Sequence, residues 1–197
     1  MYSHRITQFE QEVVTIHPGE YFATGEDRII STVLGSCIAV ALYSPAARFG
    51  GLNHFMLPGE VNAREFVRSD NAKYGMYAME LLINELMKLG ARRADLKAKV
   101  FGGGAVLHFA DGSTTKIPQG NIDFAFEYLE KEGIPILASD VGGREPRKIF
   151  FFPSSGKVLL KRIPANLVTL VEKEEARYLS AIRVGEKAGP VVLFGGD

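Results

Sequence analysis

The sequence predicts an α/β fold, a layered sandwich of mixed, largely antiparallel β-sheet with flanking helices. Short apolar runs that are joined by turn residues recur along the chain, which is typical of β-hairpins. Helical patterns are interspersed with these runs. A strict alternation of strand and helix, which would indicate a parallel sheet, is absent from this order.

The composition argues against a nucleic-acid-binding protein and against a membrane protein. The 197 residues include 23 Lys and Arg and 23 Asp and Glu, so the net charge is zero, and no basic run that would bind nucleic acid stands out. No apolar run approaches the roughly 20 residues that span a bilayer, so we expect no membrane insertion. The single cysteine, Cys37, cannot form an internal disulfide, and this favours a cytoplasmic protein.

The sequence shows no repeat and no linker, and it therefore predicts one domain over residues 1–197. Within it, residues 1–18 are interpreted as an N-terminal extension and residues 164–197 as a C-terminal helix and tail. Early strands are predicted in HPGEYFAT and RIIST, because aromatic and β-branched residues are concentrated there. A hairpin follows, with CIAVALY and GGLNHFMLP as its strands and SPAARF as its turn.

The second half of the chain begins with a helix predicted from Ser69 to Leu89, where apolar residues recur at helical spacing before Gly90. DLKAKVFGGG predicts a strand that enters a tight glycine turn. Asn121 is interpreted as the cap of the next helix, and IPILASD as a buried strand. RKIFFFP and KVLLKRI then form a hairpin around SSG, and a polar helix follows Pro164.

Cys37 allows two interpretations. A free cysteine in an apolar strand is most often an inert core residue. However, LGSC places small residues at a junction between loop and strand, where backbone N–H groups are free to stabilise an oxyanion. The chemistry of this stretch therefore depends on what lies opposite it.

His54 lies 17 positions after Cys37, on the other arm of the predicted hairpin. A turn with an even number of residues places two side chains with an odd separation on the same face. The two residues are directly opposite if the turn is centred between Pro45 and Ala46, and diagonal if the centre shifts by one position. The hairpin therefore allows a Cys–His pair, although a buried structural histidine remains the alternative for His54 alone.

Other site types have little support in the sequence. The remaining histidines show no ligand spacing with carboxylates or with the cysteine, so we expect no metal site. The FGGGA segment lacks the G-x-G-x-x-G spacing of a dinucleotide site and is interpreted as a tight turn.

Four ordered blocks resemble the chemoreceptor glutamine deamidases, the CheD family: LGSCIAVALYSP, GGLNHFMLP, KVFGGG, and GIPILASDVGGREPRKIFFFPSSGKVLLKRI. The resemblance covers roughly Gly19 to Ile163. It implies a cytoplasmic chemotaxis enzyme without a cofactor, with a fold similar to that of glutamine-deamidating bacterial toxins. The family nucleophile matches Cys37 and the family histidine matches His54.

The resemblance also implies a third catalytic residue, a threonine six positions before the cysteine. Ser31 occupies that position here, and Thr32 is adjacent. With Gly35 and Ser36 supplying N–H groups beside Cys37, the expected reaction is hydrolysis of receptor glutamines through a thioester. The expected partners are chemoreceptor helices and a CheC-type phosphatase. Two alternatives stay open, a regulatory binding role with such a phosphatase and hydrolysis of receptor methyl esters.

Overall fold

The computed structural model describes residues 1–59, 70–106, 116–164 and 168–186, and these form an α/β fold with two sheets and three helices. The strands are β1 Tyr2–Arg5, β2 Glu12–Thr15, β3 Tyr21–Thr24, β4 Arg28–Leu34, β5 Ile38–Ser44, β6 Phe49–Asn53, β7 Lys97–Gly102, β8 Ile136–Val141, β9 Arg147–Phe152 and β10 Lys157–Arg162. The helices are α1 Asp70–Lys88, α2 Ile117–Lys131 and α3 Val168–Glu186.

Each sheet has five strands, in the orders β1-β2-β4-β9-β10 and β3-β6-β5-β7-β8. Within the described strands, β2 pairs with β4 and β7 pairs with β8 in parallel, and the other neighbours are antiparallel. The prediction of a mixed, largely antiparallel sheet arrangement is confirmed. Residues 1–18 contribute β1 and β2 to the first sheet.

Two apolar clusters hold the layers together. One cluster joins buried residues of both sheets, among them Ile30 and Phe151 from the first sheet and Ala39 and Leu52 from the second. The other packs the opposite face of the second sheet against α1 and α2. Because the alternating residues of β5 point into different clusters, all seven residues of this strand are buried.

The predicted hairpin around SPAARF is present as β5 and β6, and the predicted hairpin around SSG is present as β9 and β10. The first described helix agrees with its prediction to within a residue at each end. No helix within the described ranges combines the length and the apolar character needed to cross a bilayer.

Two local predictions are wrong. The segment predicted as a buried strand is β8 at the edge of the second sheet, where Leu137 is 56% exposed. Asn121 does not cap α2, because that helix begins four residues earlier at Ile117, with a proline in its first turn. The tail GPVVLFGGD, residues 189–197 of the predicted C-terminal helix and tail, lies outside the described ranges.

Candidate active site

Residues 35–37, here called the 35–37 loop, connect β4 to β5, and their three carbonyl groups all accept hydrogen bonds. Gly35 O accepts from Gly104 N at 2.6 Å, and Cys37 O accepts from Gly103 N at 2.7 Å. The side-chain Nδ2 of Asn121 donates to Ser36 O at 2.9 Å. Because the carbonyl groups of the loop point toward Gly103, Gly104 and Asn121, its N–H groups point away from these residues.

The glycine turn after β7 makes this arrangement possible. Gly102 has φ +114°, and a Cβ atom at this residue would lie 2.1 Å from Cys37 O. A side chain therefore fits neither the backbone angle nor the space. The interpretation of the three glycines as a tight turn is confirmed, and the turn supports the loop that carries Cys37.

The three N–H groups of the 35–37 loop converge on one carboxylate, that of Glu175 on α3. Glu175 Oε1 accepts from Gly35 N at 2.9 Å and from Cys37 N at 3.0 Å, and Oε2 accepts from Ser36 N at 2.7 Å. These groups form what we call the N–H nest. Several N–H groups that converge in this way bind anions, including the oxyanion of a tetrahedral intermediate.

His54 follows β6 directly, and its backbone is held by hydrogen bonds to Gly19 and Glu20. The register pairs Ala41 with Leu52, so Cys37 lies diagonal to His54. The structure thus has the diagonal form of the predicted pair. Cys37 Sγ, one ring nitrogen of His54 and a carboxylate oxygen of Glu175 all lie within 4.8 Å of one another.

The hydroxyl group of Thr32 determines which ring nitrogen of His54 carries the proton. Thr32 Oγ1 donates its only proton to Ile16 O at 2.8 Å and lies 2.8 Å from His54 Nδ1. It must therefore accept a hydrogen bond from Nδ1–H. The neutral ring then has a lone pair on Nε2, which has no hydrogen-bond partner among the described residues.

Ser31, the position matched to the family threonine, does not share this contact. It precedes Thr32 in β4 and points to the opposite face of the strand. Its hydroxyl is buried and has no hydrogen-bond partner within the described part of the chain. The structure therefore brings Cys37, His54, Thr32, Gly35 and Ser36 together, and it leaves the Ser31 side chain outside this group.

The ionisable groups of the site are buried, and burial shifts the pKa of each of them. Burial, followed by the Glu175 carboxylate, raises the pKa of the Cys37 thiol well above its usual value. Burial, with a smaller effect of His17, lowers the pKa of His54 to about 3. Burial also raises the pKa of Glu175, although hydrogen bonds from the N–H nest and Cys37 oppose the shift. In this arrangement the thiol and the imidazole are both neutral.

Cysteine, histidine and glutamate are also metal ligands, and their close grouping raises that possibility. The surroundings favour an anion instead. Both carboxylate oxygens of Glu175 already accept backbone N–H groups, and Nδ1 of His54 is bonded to Thr32. The positive ends of three N–H dipoles point at the Glu175 carboxylate, which is the anion that such an environment favours.

Sequence reasoning missed two residues of the site. Asn121 connects Ser36 O to Leu57 N, which donates to Asn121 Oδ1 at 2.8 Å. Glu175 interrupts the buried stripe of α3 that Val171 and Leu179 define, and it is only 1% exposed. A glutamate at a buried helical position is the one signal that could have identified it, because an unpaired buried charge is rare.

A family model described as CheD chemotactic sensory transduction matches residues 56–162. A Shewanella oneidensis protein named "Probable chemoreceptor glutamine deamidase CheD 1" is 46% identical over 95% of this chain and 90% of its own length. Proteins named "Probable chemoreceptor glutamine deamidase CheD" from Laribacter hongkongensis and Herminiimonas arsenicoxydans are 45% and 43% identical, each over 94% of this chain and over 89% and 91% of their own lengths.

Among solved structures, the Bacillus licheniformis hypothetical protein YfiH matches 61% of this chain and 49% of its own, at 14% identity and a TM-score of 0.38. A likeness of this size carries no argument about fold or function. The curated relatives, in contrast, are 43% to 46% identical over 94% to 95% of this chain. The chain therefore belongs to the CheD family.

Proposed function

We propose that this protein hydrolyses glutamine side chains of bacterial chemoreceptors to glutamate, the activity that the names of its relatives state for those proteins. One observation carries the proposal: a thiol, a histidine nitrogen with a free lone pair and three convergent N–H groups lie together. A nucleophile, a base and an oxyanion site are the parts that acyl transfer requires.

In the first half of the proposed reaction, His54 Nε2 takes the thiol proton and Cys37 Sγ attacks the carboxamide carbon. The developing oxyanion accepts hydrogen bonds from the N–H nest. His54 then returns the proton to the departing nitrogen, the C–N bond breaks, and ammonia leaves a thioester on Cys37. Thr32 keeps the Nδ1 proton in place, so that Nε2 faces the reaction throughout.

In the second half, His54 removes a proton from a water molecule that attacks the thioester carbon. The C–S bond breaks, the thiol is reprotonated, and the receptor side chain is released as glutamate. Water supplies the oxygen that replaces the amide nitrogen, so the reaction balances without a cofactor. The substrate lies on the cytoplasmic part of a receptor, and the proposal therefore includes a cytoplasmic location.

The direct test is intact-mass and peptide analysis of a receptor cytoplasmic fragment after incubation with the protein. We expect the mass increase that accompanies replacement of NH2 by OH, and we expect Cys37→Ala and His54→Ala to abolish it. Thermal unfolding of both variants serves as the control for folding. Full conversion by Cys37→Ala would contradict the assignment of the nucleophile.

Thr32→Val and Ser31→Ala form a matched pair that tests the third position. Because Thr32 holds the tautomer of His54, Thr32→Val should slow deamidation by roughly tenfold to a hundredfold, part of the 10²–10⁴-fold effect of a general base. Ser31→Ala should leave the rate within about twofold, because the buried Ser31 hydroxyl points away from the reacting atoms and has no hydrogen-bond partner among the described residues. A larger loss in Ser31→Ala would reverse the assignment.

A second candidate is a regulatory binding role with a CheC-type phosphatase, and the complete burial of Cys37 favours it. In that case a thiol probe should never label Cys37 rapidly, with or without receptor fragment. Rapid labelling in the presence of the fragment would support catalysis. Receptor methyl esters use the same acyl chemistry, and direct competition between ester and amide substrates ranks the two reactions.

A further inference from the structure

Helix α3 covers the candidate active site, and three of its side chains, those of Glu174, Glu175 and Tyr178, make hydrogen bonds in and around the site. Glu175 lies in the N–H nest, and His17 Nδ1 lies 2.8 Å from Glu174 Oε1. Tyr178 hydrogen-bonds Tyr74 of α1 through the two hydroxyl groups. Cys37 is fully buried under this cover. A substrate side chain could reach the thiol only if this part of the site were vacated.

The group that fills the site has the chemical identity of the reaction product. Glutamine deamidation yields a glutamate side chain, and α3 presents a glutamate side chain to Cys37 from a helix. Its Oε1 accepts hydrogen bonds from two N–H groups, those of Gly35 and Cys37 itself. This is the pair of contacts that an oxyanion hole would offer to the carbonyl oxygen of a substrate amide.

The attachment of α3 is limited. Within its described residues, Val171, Glu175 and Leu179 are the buried positions, while Leu170 is 64% exposed. A cleft of about 450 Å³ remains between the first half of the helix and the first sheet, with Leu170, Val171 and Glu174 on the helix side and Val33, Lys148 and Lys161 on the sheet side. The helix is thus held by a short apolar stripe that Glu175 interrupts, with Leu179 in the cluster between the sheets and Tyr178 and Ile182 packed against it, and by a few polar contacts.

We propose that the groove under α3 is the surface that receives the substrate helix, and that α3 occupies it as an intramolecular product mimic with Glu175 in place of the substrate side chain. The inference rests on the proposed function and deepens it. A receptor helix with a glutamine must displace α3, so α3 lowers the activity of the free enzyme.

The electrostatics of the closed site agree with this role. Burial and the adjacent Glu175 carboxylate raise the pKa of Cys37, and burial lowers the pKa of His54, so the closed site holds a neutral thiol. Departure of α3 removes the carboxylate and admits water. Both changes make the thiolate easier to form.

Glu175→Gln provides the sharpest test, because it places a carboxamide where the mimic lies. Its oxygen can take the position of Oε1, which accepts two N–H groups. If α3 occupies the substrate position, the protein should deamidate the introduced glutamine without any receptor present. Peptide mass analysis should show conversion to glutamate, or a thioester to Cys37 formed with loss of ammonia, since both require the same attack.

Two controls are matched to this variant. Combination with Cys37→Ala should prevent the conversion. Glu174→Gln places the same carboxamide one residue earlier, on a side chain that is 47% exposed, and it should remain unchanged. The conversion in Glu175→Gln should also be independent of protein concentration, because the reaction is intramolecular.

The outcomes separate the inference from the function. Conversion of a receptor fragment by the Glu175→Gln protein while its introduced glutamine stays intact overturns the inference and leaves the proposed function standing. Absence of conversion of the receptor fragment by the unaltered protein, together with an intact glutamine in the variant, overturns both.

Labelling of Cys37 by iodoacetamide gives a readout that does not depend on activity. Glu175→Ala removes the three charge-assisted hydrogen bonds that hold α3 at the N–H nest, and labelling should become about tenfold faster or more, because the loss of even one such bond has an effect of about this size. Glu174→Ala should change it little. Equal labelling rates in Glu175→Ala and the unaltered protein, with unchanged thermal unfolding, would show that α3 does not cover the thiol.

Discussion

The 35–37 loop and helix α3 contact each other through the same three N–H groups, yet they are held in different ways. The loop is fixed by backbone hydrogen bonds to Gly103 and Gly104 and by the amide of Asn121. Helix α3 is fixed largely by single side chains, of which Glu175 makes the most contacts with the loop.

This difference indicates which part of the site is permanent. Removal of the loop's supports would leave buried carbonyl groups unpaired, which is costly, so the loop keeps its shape. Removal of α3 would return one carboxylate and the short apolar stripe of Val171 and Leu179 to water. A fixed oxyanion site beneath a displaceable helix follows from this contrast.

The largest expected effect comes from Gly102→Ala, which breaks the support of the loop. Its Cβ would lie 2.1 Å from Cys37 O, and its φ of +114° is unfavourable for alanine. We expect a loss of more than about 3 kcal/mol in the free energy of unfolding, measured by chemical denaturation.

Gly142→Ala is the matched control, because Gly142 also has positive φ, +74°, but nothing lies within 4 Å of its Cβ position. It should cost about 1 kcal/mol from backbone strain alone. Equal losses in the two variants would mean that the contact with Cys37 O does not matter.

A smaller effect is expected from Asn121→Ala, which leaves Ser36 O and Leu57 N without this partner. Each lost hydrogen bond costs about 0.5–1.5 kcal/mol net, and the loop should also lose alignment, so both stability and deamidation rate should fall. The exposed Gln119 on the same helix supplies the control. If Gln119→Ala and Asn121→Ala gave the same rate and stability, the bracing role of Asn121 would be refuted.

The smallest effect on stability is expected on the α3 side. Arg183→Ala removes the hydrogen bond from Arg183 Nε to Pro58 O, which is 2.8 Å long, and should change the free energy of unfolding by about 1 kcal/mol or less. It should nevertheless speed the labelling of Cys37, because α3 loses an attachment. Arg177→Ala, at an exposed position of the same helix, should do neither. Unchanged labelling in Arg183→Ala would show that this contact does not hold the cover.

By itself, the sequence determined features that depend on local patterns. Strand alternation and turn residues located both hairpins, the three glycines marked a tight turn, and the odd separation of Cys37 and His54 placed them on one face. These signals are reliable because the residues involved are neighbours along the chain or across one turn.

Only the tertiary structure decided the rest. The choice of Thr32 as the neighbour of His54 depended on which face of β4 meets the end of β6, and the exposure of β8 depended on its position at a sheet edge. Asn121 acts across 85 residues to Ser36 and Glu175 across 138 residues to Cys37. Contacts at such separations arise from the packing of whole layers, and the periodicity within a short segment does not predict how layers pack.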